Sequence, residues 1–165
     1  MSGPVPDDEL HPNARRVVAA AAERGLAISV REHPDGTRTA EQAAAAVGCD
    51  VAQIVKSLIF DAAGQVVLAL TSGANRVDTD ALAAAVGVPA LGRADAEQVR
   101  AVTGYPIGGV PPLGHANAVP AWIDEDLLVH DQVWAAAGTP RHVFAVDPAA
   151  LVAATGATVA RFGVR

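Results

Sequence analysis

Two stretches of this chain carry residue types and spacings that could do chemistry. The first is Ile54-Val55-Lys56-Ser57-Leu58-Ile59-Phe60. Of the twelve basic residues eleven are arginine, and Lys56 is the single lysine. An unpaired ammonium within an apolar run is costly. On a strand, Lys56, Leu58 and Phe60 share one face while Val55, Ser57 and Ile59 share the other. In a pocket, such an amine has a depressed pKa and can position or activate a reactant. At the rim of a sheet it snorkels to water and does neither. Read alone, the run favours the rim.

The second stretch is Gly104-Tyr105-Pro106-Ile107-Gly108-Gly109-Val110-Pro111-Pro112-Leu113-Gly114, with four glycines and three prolines. Glycine permits close backbone approach and proline fixes φ. Such a loop can present main-chain N–H groups to an oxyanion or a phosphate. It serves equally well as a rigid connection between a helix and a strand. Other reactive residues form no recognisable arrangement. Cys49 sits in a turn with no nearby histidine and reads as a structural thiol. The five histidines lack the H-x-x-x-H spacing of a zinc site. Asp124, Glu125 and Asp126 read as a turn and helix start, where carboxylates complement the dipole.

These residues must be positioned by one domain. The chain has 165 residues, 51% of them hydrophobic, enough for a real core. Residues 1–11 are acidic and proline-rich and read as a flexible arm; residues 12–165 read as a single domain. No apolar run reaches the roughly 18–20 residues of a membrane span. One cysteine fits a reducing cytoplasm. The net charge of −6 argues against general nucleic-acid binding but leaves room for a local basic patch.

Helices and strands alternate along the chain. Helices are expected from Pro12 to Arg24, over 40–47 behind a Thr39/Gln42 capping box, over 79–86 behind Asp78, over 96–103 behind Asp95, and over 148–155. Strands are expected at "LAISVREH", "VKSLIFD", "QVVLALT", "VPAWID", "QVWAAA", "RHVFAV" and "ATVARF". The second and third of these form a hairpin through "AAG". This order implies an α+β fold with a mixed, largely antiparallel sheet. No G-x-G-x-x-G follows a first strand and there is no Walker loop, which argues against a nucleotide cofactor held by those routes.

Taken together and in order, "IVKSLIF", "TGYPIGGVPPLG", "VPAWIDEDLL" and the "AAG" turn resemble the YbaK and prolyl-tRNA-synthetase-associated family of freestanding aminoacyl-tRNA deacylases. The resemblance runs from about Leu26 to Phe162. It implies a curved mixed sheet with helices packed around it, and a pocket between sheet and glycine loop. It implies trans-editing: hydrolysis of mischarged aminoacyl-tRNA, with small residues such as Ala, Cys, Ser or Thr, on tRNA(Pro) or related tRNAs. Carried over residue by residue, Lys56 matches the family's functional lysine, and Gly108, Gly109, Pro112 and Gly114 match its G-G-x-x-P-x-G loop. Ser57 falls at a Ser/Thr position, Asp124 at a strand-end Asp, and His130 near a pocket-side histidine of some members. Catalytic roles are expected of Lys56, Gly108 and Gly109, and substrate contacts of Ser57, Pro112, Gly114, Asp124 and His130. Val110-Pro111 stands where other members have a Cys or Ser, and Ala136-Ala137-Gly138 matches a turn at which some members carry Ser, so no serine role is available there. No metal or organic cofactor is required. The expected partners are the acceptor end of a tRNA, through phosphate contacts among Arg15, Arg16, Arg31, Arg38, Arg76 and Arg141, and an aminoacyl-tRNA synthetase. The rival reading is a non-catalytic module that binds an aminoacyl end or a synthetase. A weaker third is hydrolysis of another small ester or amide.

Overall fold

The computed structural model describes residues 3–37 and 39–165, without the side chain of Asp7. Arg38, one of the expected phosphate contacts, lies outside the described residues. The helices begin and end where their caps dictate. In α1 (Pro12–Glu23), Pro12 occupies the first turn, and Ala14, Val17 and Ala21 bury one stripe. Before α2 (Ala40–Val47), the Thr39 hydroxyl accepts from Gln42 N at 3.0 Å, and Gln42 Oε1 accepts from Thr39 N. Asp78, Asp95 and Asp147 cap α3 (Thr79–Val86), α4 (Ala96–Thr103) and α5 (Pro148–Thr155).

The strands are β1 (Val30–Glu32), β2 (Val55–Ala62), β3 (Gln65–Ser72), β4 (Arg76–Val77), β5 (Gly92–Arg93), β6 (Ala121–Asp124), β7 (Val133–Ala136), β8 (His142–Val146), β9 (Thr158–Ala160) and β10 (Gly163–Val164). A five-stranded sheet runs β5-β2-β3-β6-β9, antiparallel up to β3 and parallel beyond it. A three-stranded antiparallel sheet runs β1-β8-β7, and β10 pairs with β4. This is the α+β architecture with a mixed sheet expected from the element order.

One face of the large sheet (Val55, Ile59, Leu68, Leu70, Ile123) packs against α1, α5, the small sheet and the glycine loop. The other (Phe60, Val67, Ala69) packs against Leu82 of α3 and Phe162. A third cluster joins α2 to Ile54, Trp134 and Val143.

Several strands are shorter than their sequence patterns. "LAISVREH" pairs only from Val30; Leu26 N instead closes α1 on Ala21 O. "ATVARF" ends at Ala160: Phe162 turns into the α3 face, and its carbonyl accepts from Asp78 N. Two residues of the expected N-terminal arm are tied to the fold. Val5 N donates to Val30 O at 2.8 Å and Leu10 is buried.

The glycine loop is held at its base. Tyr105 is fully buried, and its hydroxyl donates to Gly114 O at 2.9 Å. Its amide donates to the Thr103 hydroxyl, and the Arg16 guanidinium covers its ring. Tyr105→Phe should therefore lower stability by about 1 kcal/mol, read as a lower urea midpoint at unchanged m.

Candidate functional site

Two strands from different sheets meet at one backbone bridge and then diverge. Ile54 and Trp134 form an isolated parallel bridge. Beyond it β7 stays with β8, and β2 has no strand partner on that side until β5 joins at Phe60. A cavity of about 370 Å³ fills the gap. Its walls are β2 from Val55 to Ile59, the inner face of α2, Ile107, Gly108 and Val110 of the glycine loop, and Trp134, Ala135 and Ala136.

The main chain of β2 is open to this gap. Gly73 N donates to Ile54 O on the β3 side, whereas Ala94 N donates to Ile59 O on the opposite side. Alternate residues of a strand direct their N–H and C=O to opposite sides. Ser57, in phase with Ile59, therefore presents its main-chain groups to the gap. Its buried hydroxyl has no hydrogen-bond partner among the described residues.

The loop wall is a turn closed by Gly109 N donating to Pro106 O at 3.0 Å. Its third residue, Gly108, has φ +87°, the positive value that a type II turn demands there. Gly109 lies flat on Thr139: a Cβ at this position would stand 2.7 Å from the Thr139 Cα. Thr139 is itself fixed, its hydroxyl sharing a hydrogen bond with His142 Nδ1 and accepting from Arg141 N. The N–H of Gly109 is thus already used within the turn. Gly108 N–H finds no main-chain partner among the described residues, and Gly108 lines the cavity.

Lys56 is anchored. Its Nζ donates to Asn75 O at 2.5 Å. Asn75 is in turn held by Asp124: Nδ2 donates to Asp124 Oδ2 and to Asp126 Oδ2, both at 2.8 Å. Asp124, 1% exposed, also accepts from Ser72 N and Asp126 N. Burial lowers the Lys56 pKa below the usual lysine value. Glu41 opposes that shift, Arg93 adds to it, and Asp124 opposes it more weakly.

The residues singled out from sequence divide accordingly. Lys56, Ser57 and Gly108 line one cavity. Asp124 stands behind the wall and reaches Lys56 only through Asn75. Gly109 supports the loop, Pro112 is buried outside the lining, and Gly114 packs on Ala20 of α1. His130 closes a 3-10 turn away from the lining. None of Arg15, Arg16, Arg31, Arg76 and Arg141 lines the cavity; Arg31 stacks on Trp134 and Arg141 faces Glu32.

Sequence reasoning missed Glu41 and Arg93, both of which do line it. Arg93 lies over the Phe60 ring and has no carboxylate partner among the described residues. Its two-residue strand carries no periodic signal. Glu41 stands at the second position of α2, where an acidic residue complements the helix dipole and carries no further signal in sequence.

A mixed five-stranded sheet with a glycine turn facing a strand lysine defines the class of protein. Residues 34–154 match the aminoacyl-tRNA editing domain, and the chain belongs to that family. It is 32% identical over 112 residues to the proline–tRNA ligase of Nitratidesulfovibrio vulgaris strain DP4, covering 67% of this chain and 20% of the ligase. It thus spans about a fifth of that relative's length. It is 31% identical over 120 residues to the uncharacterized protein YwhH of Bacillus subtilis, covering 72% of this chain and 76% of YwhH. A solved protein put forward as a trans-editing enzyme for prolyl-tRNA synthetase superposes with a TM-score of 0.90 at 49% identity, covering 95% of this chain and all of that one.

The charges around Lys56 make its titration diagnostic. As the single lysine, its Cε resonance is unambiguous by NMR. Glu41→Gln removes a charge that favours the ammonium and should lower the Lys56 pKa further. Arg93→Gln should raise it. Unchanged titration in both variants would mean that neither side chain faces the amine.

Proposed function

We propose that this chain hydrolyses the ester joining an amino acid to the 3′ end of a tRNA, acting in trans on mischarged tRNA. The observation that carries the reading is that Lys56 and the Gly108 turn border one cavity along an unpaired strand edge. An aminoacyl ester is already activated, so catalysis needs mainly a placed water and a stabilised oxyanion. Water adds to the ester carbonyl carbon, the bond to the ribose oxygen breaks, and a free amino acid and a tRNA with a free 3′ end result. The Gly108 N–H is the donor for the developing oxyanion. Lys56, with one hydrogen bond fixed on Asn75, directs its remaining donors to the ribose or the attacking water. Arg93 holds the terminal phosphodiester at the cavity mouth.

The walls near α2 are aliphatic or aromatic: Ala43, Val47, Ile54, Trp134 and Val143. They suit a small side chain such as that of alanine, serine, threonine or cysteine, and a small pocket excludes a larger group. The relatedness to proline–tRNA ligases supports tRNA(Pro) as the tRNA edited and a cytoplasmic setting. A single domain over residues 12–165 suffices, with a synthetase as a second partner.

A deacylation time course over a panel of mischarged tRNAs tests the reading. Lys56→Ala should cost about 10²–10³-fold in kcat/KM. Ester loss at the uncatalysed rate for every tRNA would leave the non-catalytic binding module standing. Activity on free esters that is indifferent to tRNA would favour a general esterase. Arg93→Ala should raise KM and reduce the slope of log affinity against log salt by about 0.7, the value of one phosphate contact on a single strand.

A further inference from the structure

The cavity orders its charges along β2. At one end α2 packs over Ile54, and Ala40, next to Glu41, presses on Gly73 and Ile54. At the other end Arg93 pairs beside Phe60. Ile54 to Phe60 spans about 20 Å of strand, with Lys56 between the ends. The charged groups that line the cavity among the described residues are Glu41 from α2, Lys56 from β2 and Arg93 from β5. The glycine loop, β7 and β8 contribute no charged lining residue. The order is therefore carboxylate, ammonium, guanidinium.

The end of an aminoacyl-tRNA carries its own charges in a fixed order: an α-ammonium, then the ester, then the terminal phosphodiester. Two cations alone would repel that ammonium. We propose that the Glu41 carboxylate receives the free α-ammonium of the aminoacyl group, so that the site selects unblocked aminoacyl ends and rejects N-acylated ones. This rests on the deacylase reading above and adds a specificity-determining residue to it. An N-acyl group removes the positive charge and leaves Glu41 facing a neutral amide. The hydroxyls of Thr37 and Thr39 at the same end cannot replace that charge.

The test compares alanyl-tRNA with N-acetyl-alanyl-tRNA for the wild type and Glu41→Gln. The wild type should prefer the free amine by about tenfold or more in kcat/KM, the scale of one charge-assisted hydrogen bond. In Glu41→Gln the preference should collapse to within about twofold, chiefly through KM. The advantage of wild type over Glu41→Gln should also fade as pH rises through the substrate's α-amine pKa, at or below about 8. Equal discrimination by both proteins, or none by the wild type, overturns the inference. Binding of alanyl-adenosine linked through a 3′-amide, free or N-acetylated, separates this from failure of the deacylase reading. If the wild type turns over neither ester, the same preference in binding and its loss in Glu41→Gln still uphold the ammonium site. Equal binding of the two amides sinks it.

Discussion

The structure turns on a strand that is paired on only one side for half its length. From Val55 to Leu58, β2 bonds to β3 but meets no strand across the gap. Open main-chain groups must be satisfied by water or ligand, and an uncovered edge invites the wrong partner. Here the edge lies inside a cavity. The neighbouring elements hold the gap open: β7 bridges the residue before β2 once, at Ile54–Trp134, and then remains with β8. The glycine loop lies on Thr139 instead of on β2. A side chain at residue 109 would push the loop off Thr139, so the glycine there fixes the width of the cavity.

Behind the open edge stands a polar relay of directly bonded groups. Asp124 is buried but receives hydrogen bonds from Ser72 N, Asn75 Nδ2 and Asp126 N. A buried carboxylate is tolerable when it is this well donated to. The relay fixes Asn75, and the Asn75 carbonyl then fixes the lysine. C-terminal β10 closes this corner, since Gly163 approaches both Asn75 and Asp124 too closely for any side chain. The parallel pairing of β6 with β3 is what brings Asp124 beside Ser72.

The sequence revealed whatever depends on local chemistry. All five helices begin at the expected Ser/Thr/Asp or Pro signals, and the β2–β3 hairpin carried a clear pattern. What escaped depends on distant partners. β4 and β5 have two residues each, too few to show alternation. Asp124 could be marked as a candidate but not assigned its place, because its link to Lys56 passes through Asn75, forty-nine residues away along the chain. Gly108 and Gly109 look alike in sequence. Only the turn geometry separates them: one lines the cavity, while the other spends its N–H on Pro106. Arg93 was indistinguishable from ten other arginines until β5 set it beside the cavity.

This also explains the lone lysine in a chain that otherwise uses arginine. An arginine at residue 56 would bring five donors in a rigid plane and a charge that does not titrate. Asn75 offers a single carbonyl at the end of a buried stem. One ammonium proton satisfies that carbonyl, and the remaining donors stay free to turn toward whatever enters the gap. The lysine pKa can also yield to burial, whereas a guanidinium would have to remain charged between Arg93 and the apolar wall. The geometry of the cleft thus demands a compact, rotatable and titratable cation. Lysine alone among the basic residues on a four-carbon stem meets all three conditions.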